Sequence, residues 1–240
     1  MVDLDETLIN VCRQHLPEWG GDTVDSDPRF ELIVGDAHAY LLQCSEIFDA
    51  IIMDISDPIE AGPGIALYTR EFYNHAKSLL SVPQGVFVTQ AGVAEAVPSL
   101  QMQRSGGVDE PLCYAPIINT LAEVFECVVP YSVSIPSFGS DWGFVMAFNC
   151  GSDLGGDNNG GSDIGTTVRE EFANIPKKII DDIISKRIQG NNNGTSNDND
   201  ILRHYDGETH RTMFSLTKSL RKMLKDDKRI MTRDNPIFMY

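Results

Sequence analysis

The chain has 240 residues, with 19 Lys and Arg against 35 Asp and Glu, for a formal net charge of -16. That balance argues against general nucleic-acid or anionic-membrane binding, because phosphates need Lys and Arg to displace their counterions. An apolar fraction of 42% is too high for a fully disordered chain, and no apolar run approaches the roughly 20 residues that span a bilayer. The first ten residues carry Asp3, Asp5 and Glu6 and no Lys or Arg, the wrong charge for a signal or transit peptide. Five scattered cysteines with no C-x-x-C pair suit reduced thiols and predict neither a disulfide framework nor a zinc site. These features together predict a cytoplasmic protein.

In chain order, an extended start leads into a helical apolar pattern over Glu6 to His15. Phe30 to Val34 reads as a strand ending at Gly35-Asp36, and Ala37 to Cys44 as a short helix. Phe48 to Met53 is a buried-strand run ending on Asp54. A helix over Arg70 to Leu80, a strand over Gly85 to Gln90 and a helix over Pro116 to Phe125 follow. Cys127 to Pro136 and Gly143 to Phe148 read as an antiparallel pair at the end of the sheet. This alternation predicts an α/β fold with a Rossmann-like, doubly wound, mostly parallel sheet over 1–150. Gly151 to Gly165 is a Gly/Asp/Asn-rich linker, and 166–240 a helical extension. The extension is expected to hold one helix over Ile175 to Ile188, a polar insertion at 190–200, and one over Tyr205 to Leu224. Asn193-Gly194-Thr195 matches a glycosylation sequon, which without a secretory signal carries almost no weight.

In doubly wound folds, ligands bind outside the carboxyl ends of the parallel strands. Those ends carry polar groups in succession: Asp3, Asp36, Asp54 and Gln90. One such Asp is a common helix cap or turn residue, but a whole series is harder to explain that way. An acid placed like Asp3 can accept both ribose hydroxyls. Asp36 can accept from an adenine amino group while the Ala37 N–H donates to a ring nitrogen. Asp54 and Asp57 stand three apart in Asp54-Ile55-Ser56-Asp57-Pro58. Pro58 holds Asp57 extended, so both carboxylates can line one cleft, and paired anions favour a cationic amine. The histidines form no ligand pattern, so no metal is expected.

The Asp54-Ile-Ser-Asp-Pro58 segment, preceded by Phe48-Asp-Ala-Ile-Ile-Met53, resembles the signature of the aminopropyltransferases, the spermidine/spermine synthase family. Val2-Asp-Leu-Asp-Glu6, Gly35-Asp36-Ala37, Leu67-Tyr-Thr-Arg-Glu-Phe-Tyr73, Gly85-Val-Phe-Val-Thr-Gln90 and Ile135-Pro-Ser-Phe138 through Phe144 resemble further family blocks in order. So do Tyr205 to His210, Phe214-Ser-Leu216 and Leu220 to Leu224. Ile59 to Pro63, Thr89 to Gly92, Val129-Pro-Tyr131 and Phe138 are more similar to thermospermine synthases than to spermidine synthases.

The resemblance implies transfer of the aminopropyl group of decarboxylated S-adenosylmethionine, a co-substrate with no further cofactor, to spermidine, giving thermospermine and methylthioadenosine. Putrescine is the alternative acceptor. A non-catalytic paralogue or fragment that binds only nucleoside or partner subunits is a reading from another class. The resemblance makes Asp54 the proton acceptor and Asp57 an ammonium ligand. It places Asp3, Asp36, Ala37, Pro63 and Leu67 at the nucleoside, and Gln90, Phe138 and Trp142 along the amine channel. It also implies a homodimer. The family's first strand, its Gly-rich turn and its small N-terminal β-domain are absent from the 240 residues. The abrupt Met-Val-Asp-Leu-Asp start therefore implies a fragment or an incomplete gene model, with little or no turnover expected from the chain as written.

Overall fold

The computed structural model describes residues 1–17, 26–95, 113–149, 163–187, 202 and 204–239. The Gly/Asp/Asn tract over 151–162, the insertion at 190–200 with its sequon, and Cys150 lie outside them. Contacts divide the chain into two units, Met1–Ile47 and Phe48–Tyr240.

The first unit alternates β1 (Val2–Asp3), α1 (Glu6–His15), β2 (Ile33–Val34) and α2 (Ala37–Gln43). β1 and β2 pair in parallel, with Asp3 opposite Val34. Each helix starts where an Asp carboxylate takes up backbone N–H groups that have no partner within the helix. Asp5 accepts from Leu8 N at 2.9 Å, and Asp36 from His38 N at 2.8 Å. The helix over Glu6 to His15 is observed as the sequence predicts.

The second unit is built on a four-stranded sheet in the order β3-β4-β6-β5. Its strands are β3 (Ala50–Met53), β4 (Val86–Val93), β5 (Cys127–Ile135) and β6 (Ser140–Phe148). β3 and β4 are parallel, and β6 runs antiparallel to both β4 and β5. The parallel character and the antiparallel terminal pair agree with the sequence reading, although the described strands form two sheets where it expects one. β3 is the outer strand of its sheet, and Ile52 on it is 74% exposed. A run that is apolar on both faces is thus buried on one only.

Helices α3 (Arg70–Ser78) and α4 (Tyr114–Ala122) bury Phe72, Tyr73, Ala76, Ile117 and Leu121. Phe87 of β4 joins this core between Tyr73 and Phe125, at ring distances of 5.3 and 5.9 Å. A second core forms on β5, where Cys127 and Val129 pack with Val168 and Phe214. These last two come from α5 (Asp163–Ala173) and from the end of α7 (Gly207–Met213). α6 (Lys177–Arg187) lies within the helix predicted from Ile175 to Ile188. Two predictions need correction. The helix read over Tyr205 to Leu224 is two helices, α7 and α8 (Lys218–Asp226), because the Thr217 hydroxyl caps a new start by accepting from Leu220 N at 3.2 Å. Cys127 is disulfide-bonded, against the expectation of thiols throughout, since sequence spacing does not show which cysteines a fold brings together.

After α8 the chain runs as an extended strap over the second unit. Asn119 Nδ2 donates to Asp227 O at 2.9 Å and to Arg229 O at 3.2 Å. Met231 N donates to the buried Thr120 Oγ1 at 2.8 Å, and Arg70 N to Met231 O at 2.9 Å. Arg233 N donates to Glu71 Oε2 at 3.0 Å. The strap reaches the Asp54–Pro58 loop, where Met239 N donates to Pro58 O at 2.8 Å.

Candidate active site

β3 ends at Met53, so Asp54 opens the loop at the carboxyl end of a parallel strand. Asp54 is exposed, Asp57 is half-buried and Pro58 is buried. The loop is held by Gln90, which is 4% exposed on β4. The Gln90 amide oxygen accepts from Gly92 N at 2.8 Å and from Trp142 Nε1 at 3.1 Å. Two obligate donors on one side fix the amide's orientation and turn its NH2 toward the loop. There Nε2 meets Tyr68 Oη at 2.6 Å, Ile55 O at 2.8 Å and Asp57 Oδ1 at 3.2 Å.

An amide nitrogen has two hydrogens, so three acceptors cannot all be fully served. The longest contact is to Asp57, whose carboxylate is therefore the least satisfied of the three. Burial raises its proton affinity above the ordinary carboxyl value, and the Gln90 bond opposes that only in part. Such a group gains most from a bound cation. Tyr68 Oη donates in turn to Ser56 O at 3.1 Å. Its phenol is pushed up by burial and then by the negative charges of Asp57 and Asp54, so it stays a neutral donor to the loop.

The β5–β6 hairpin supplies an aromatic pair. Phe138 N donates to Ile135 O at 2.9 Å, and Gly139 takes φ +70, which closes the turn. Phe138 is 57% exposed, and its ring lies 4.7 Å from that of Trp142. Within the second unit, Phe138, Trp142, Gln90 and Asp57 thus form one connected series, with aromatic faces at one end and a carboxylate at the other. That arrangement suits an elongated cation, by cation–π attraction and charge pairing.

Of the other expected residues in this unit, Pro63 is exposed, and Leu67 is buried within the helical turn Ile65–Tyr68 that also carries Tyr68. In the first unit, Asp3 is the last residue of β1 and Asp36 follows its parallel partner β2, and Gly35 N donates to Asp3 O at 2.8 Å. Asp3 Oδ1 accepts from Asp5 N at 2.9 Å. Asp36 uses Oδ1 to cap α2, of which Ala37 is the first residue. Among the described residues, no group of three His, Cys, Asp or Glu side chains converges as a metal site. Sequence reasoning missed Tyr68 as a site residue, although the Leu67–Tyr73 block contains it. It also missed Met239, which no motif marks.

Residues 1–151 match the spermine/spermidine synthase domain. The chain belongs to this family. Among curated spermine/spermidine synthase relatives, polyamine aminopropyltransferase 2 of Hyperthermus butylicus is 37% identical over 239 residues, covering 100% of this chain and 64% of that protein. A thermospermine synthase of Arabidopsis thaliana is 36% identical over 151 residues, covering 61% of this chain and 40% of that protein. The chain thus spans somewhat less than two thirds of the first relative's length. Among solved structures, a spermidine synthase in complex with the transition-state analogue AdoDATO superposes with a TM-score of 0.63 at 21% identity. It covers 94% of this chain and 60% of that one, and it supports the Rossmann-like fold. Among the described residues, no helix is long and apolar enough to cross a membrane.

Proposed function

We propose that the chain carries the site of an aminopropyltransferase that moves the aminopropyl group of decarboxylated S-adenosylmethionine to spermidine, giving thermospermine and methylthioadenosine. The observation that carries the reading is the pair of carboxylates on the loop after β3, with Asp54 exposed and Asp57 half-buried and incompletely bonded. The sulfonium makes the aminopropyl carbon electrophilic. An amine lone pair attacks it, an N–C bond forms, and the C–S bond breaks with its electron pair going to sulfur. The sulfonium becomes a neutral thioether, and the new ammonium proton passes to Asp54. Amines are mostly protonated at neutral pH, so a carboxylate at the attacking nitrogen also selects its reactive form. Asp57 holds a second ammonium of the amine, and Phe138 and Trp142 line its path. Asp3, Asp36 and Ala37 serve the nucleoside. The remaining acceleration comes from alignment of the two substrates. No metal or further cofactor enters this scheme.

Spermidine is favoured over putrescine by Phe138. Its exposed ring beside Trp142 offers an apolar wall where a hydroxyl would hold a shorter diamine. The test exchanges residues 1–151 into the Hyperthermus butylicus relative and supplies decarboxylated S-adenosylmethionine with each amine. Thermospermine, resolved from spermine, is the expected product. Spermidine formed from putrescine would reject the acceptor, and absence of methylthioadenosine with both amines would reject the reaction. In the same chimera, Asp54→Asn is expected to lower kcat by at least ~100-fold, as loss of a general base does, while nucleoside binding by calorimetry stays within about twofold of the parent, since no transition-state role touches it. Near-normal turnover would remove Asp54 from the base role.

A further inference from the structure

We propose that Met239, at the end of the strap, is a positioning residue for the amine-binding carboxylate Asp57. The proposal rests on the functional reading above and adds a part of the chain far from every motif. Three observations carry it. Met239 N donates to Pro58 O at 2.8 Å, one residue after Asp57. Pro58 has no N–H of its own to tether the loop, so this bond through its carbonyl fixes the loop's exit. Second, Gly92 takes φ +75 at the irregularity of β4 between Gln90 and Val93. A Cβ placed there would lie 3.2 Å from Met239 Cε and 3.5 Å from both Met239 Sδ and Asp57 Oδ1. The missing side chain thus leaves one small space that the Met239 thioether and the Asp57 carboxylate share. Third, Met239 is 4% exposed, so its side chain occupies the wall there.

The rest of the strap gives this contact its rigidity. Cys113 Sγ lies 4.0 Å from Ile237 O, and Arg233, Met231, Arg229 and Asp227 are bonded to α3 and α4. Asp57 is bonded to the side chain of Gln90 by its longest contact. The thioether and the carboxylate border the same space beside Gly92, so the seating of Met239 bounds the room left to the carboxylate. Methionine fills such irregular space without offering a strong hydrogen bond, so the carboxylate stays free for an ammonium.

The test uses the full chain and two substitutions. Met239→Pro removes the N–H, and Met239→Leu keeps the N–H and a similar volume. Hydrogen–deuterium exchange is followed in a peptide covering 51–62, with a β5–β6 peptide as internal control. Met239→Pro is expected to speed exchange at Ile55, Ser56 and Asp57 at least tenfold with the control unchanged, and Met239→Leu to restore it to within threefold of wild type. Unchanged loop exchange in Met239→Pro would overturn the proposal, as would equal acceleration in the control peptide. In the chimera that tests the function, extended to residue 240 of this chain, Met239→Ala is expected to raise the amine KM at least fivefold with kcat changed less than twofold. A fall in kcat alone would overturn the positioning role. If no amine is used at all but the exchange response persists, the strap's hold on the loop stands and the functional reading fails.

Discussion

The carboxylates that read alike in the sequence are not alike as residues. Asp36 spends an oxygen capping α2, and Asp3 accepts a backbone N–H two residues on. Asp57 is drawn partly out of water, and burial wins over its one side-chain bond. The pH consequence has a definite sign. A carboxyl raised in the folded chain keeps its proton at pH values where the unfolded chain has lost it, so the folded form binds more protons in the window just above the ordinary 3.8. Stability therefore falls as pH rises through that window and does not recover above it. Asp57→Asn, which keeps an acceptor for Gln90, is expected to be at least as stable as wild type at neutral pH, with the difference shrinking toward acid. Urea midpoints measured across the window check this, and a wild type that loses stability relative to Asp57→Asn on acidification would contradict it. An ammonium ligand acts in the opposite direction on the same group, so amine affinity should fall on acidification through this window.

At the scale of elements, strands and helices were legible where periodicity or an unbroken apolar run was strong, as in α1, β3 and the β5–β6 pair. The break between α7 and α8 was not, because the apolar spacing runs on through Phe214, Leu216 and Leu220, and only the Thr217 cap divides it. The strap was invisible, since it is held by backbone groups bonded to Asn119, Thr120 and Glu71, which leave no pattern. The site was legible as residue types at strand ends. Its connection through Gln90 was not, because a buried amide serving five partners depends on tertiary placement. One close approach is testable here. Gly143 on β6 lies under the Tyr114 ring, and a Cβ would come 2.6 Å from its Cε2. That ring is fully buried and anchored through Oη to Tyr131 O at 2.9 Å, so it has little room to yield. Gly143→Ala is expected to cost about 1–3 kcal/mol, as overpacking does. The urea midpoint should drop at constant slope, and an unchanged midpoint would show that the ring moves freely.

For the whole molecule, apolar burial is unevenly divided. Among the described residues, none of 1–47 is buried, and Leu4, Leu8, Val11, Leu16, Val34, Leu42 and Ile47 are all exposed by more than 40%. The second unit holds both cores. Local opening is resisted chiefly by buried apolar contact. Amides of α1 and α2 are therefore expected to exchange at least tenfold faster than those of β4 and β6 under native conditions. Equal protection in the two units would contradict this.

The strap also sets an order of events in folding. Its bonds join distant positions, such as Arg233 and Glu71, which are 162 residues apart. On a ribosome, the Asp54–Pro58 loop and its sheet partners are made long before residues 227–239, and pairings of such separation close late. A nascent chain can build the sheet around Phe87 and still lack a finished carboxylate loop. Assembly of the fold and completion of the site are thus separate steps, and the second waits for the segment that carries Met239.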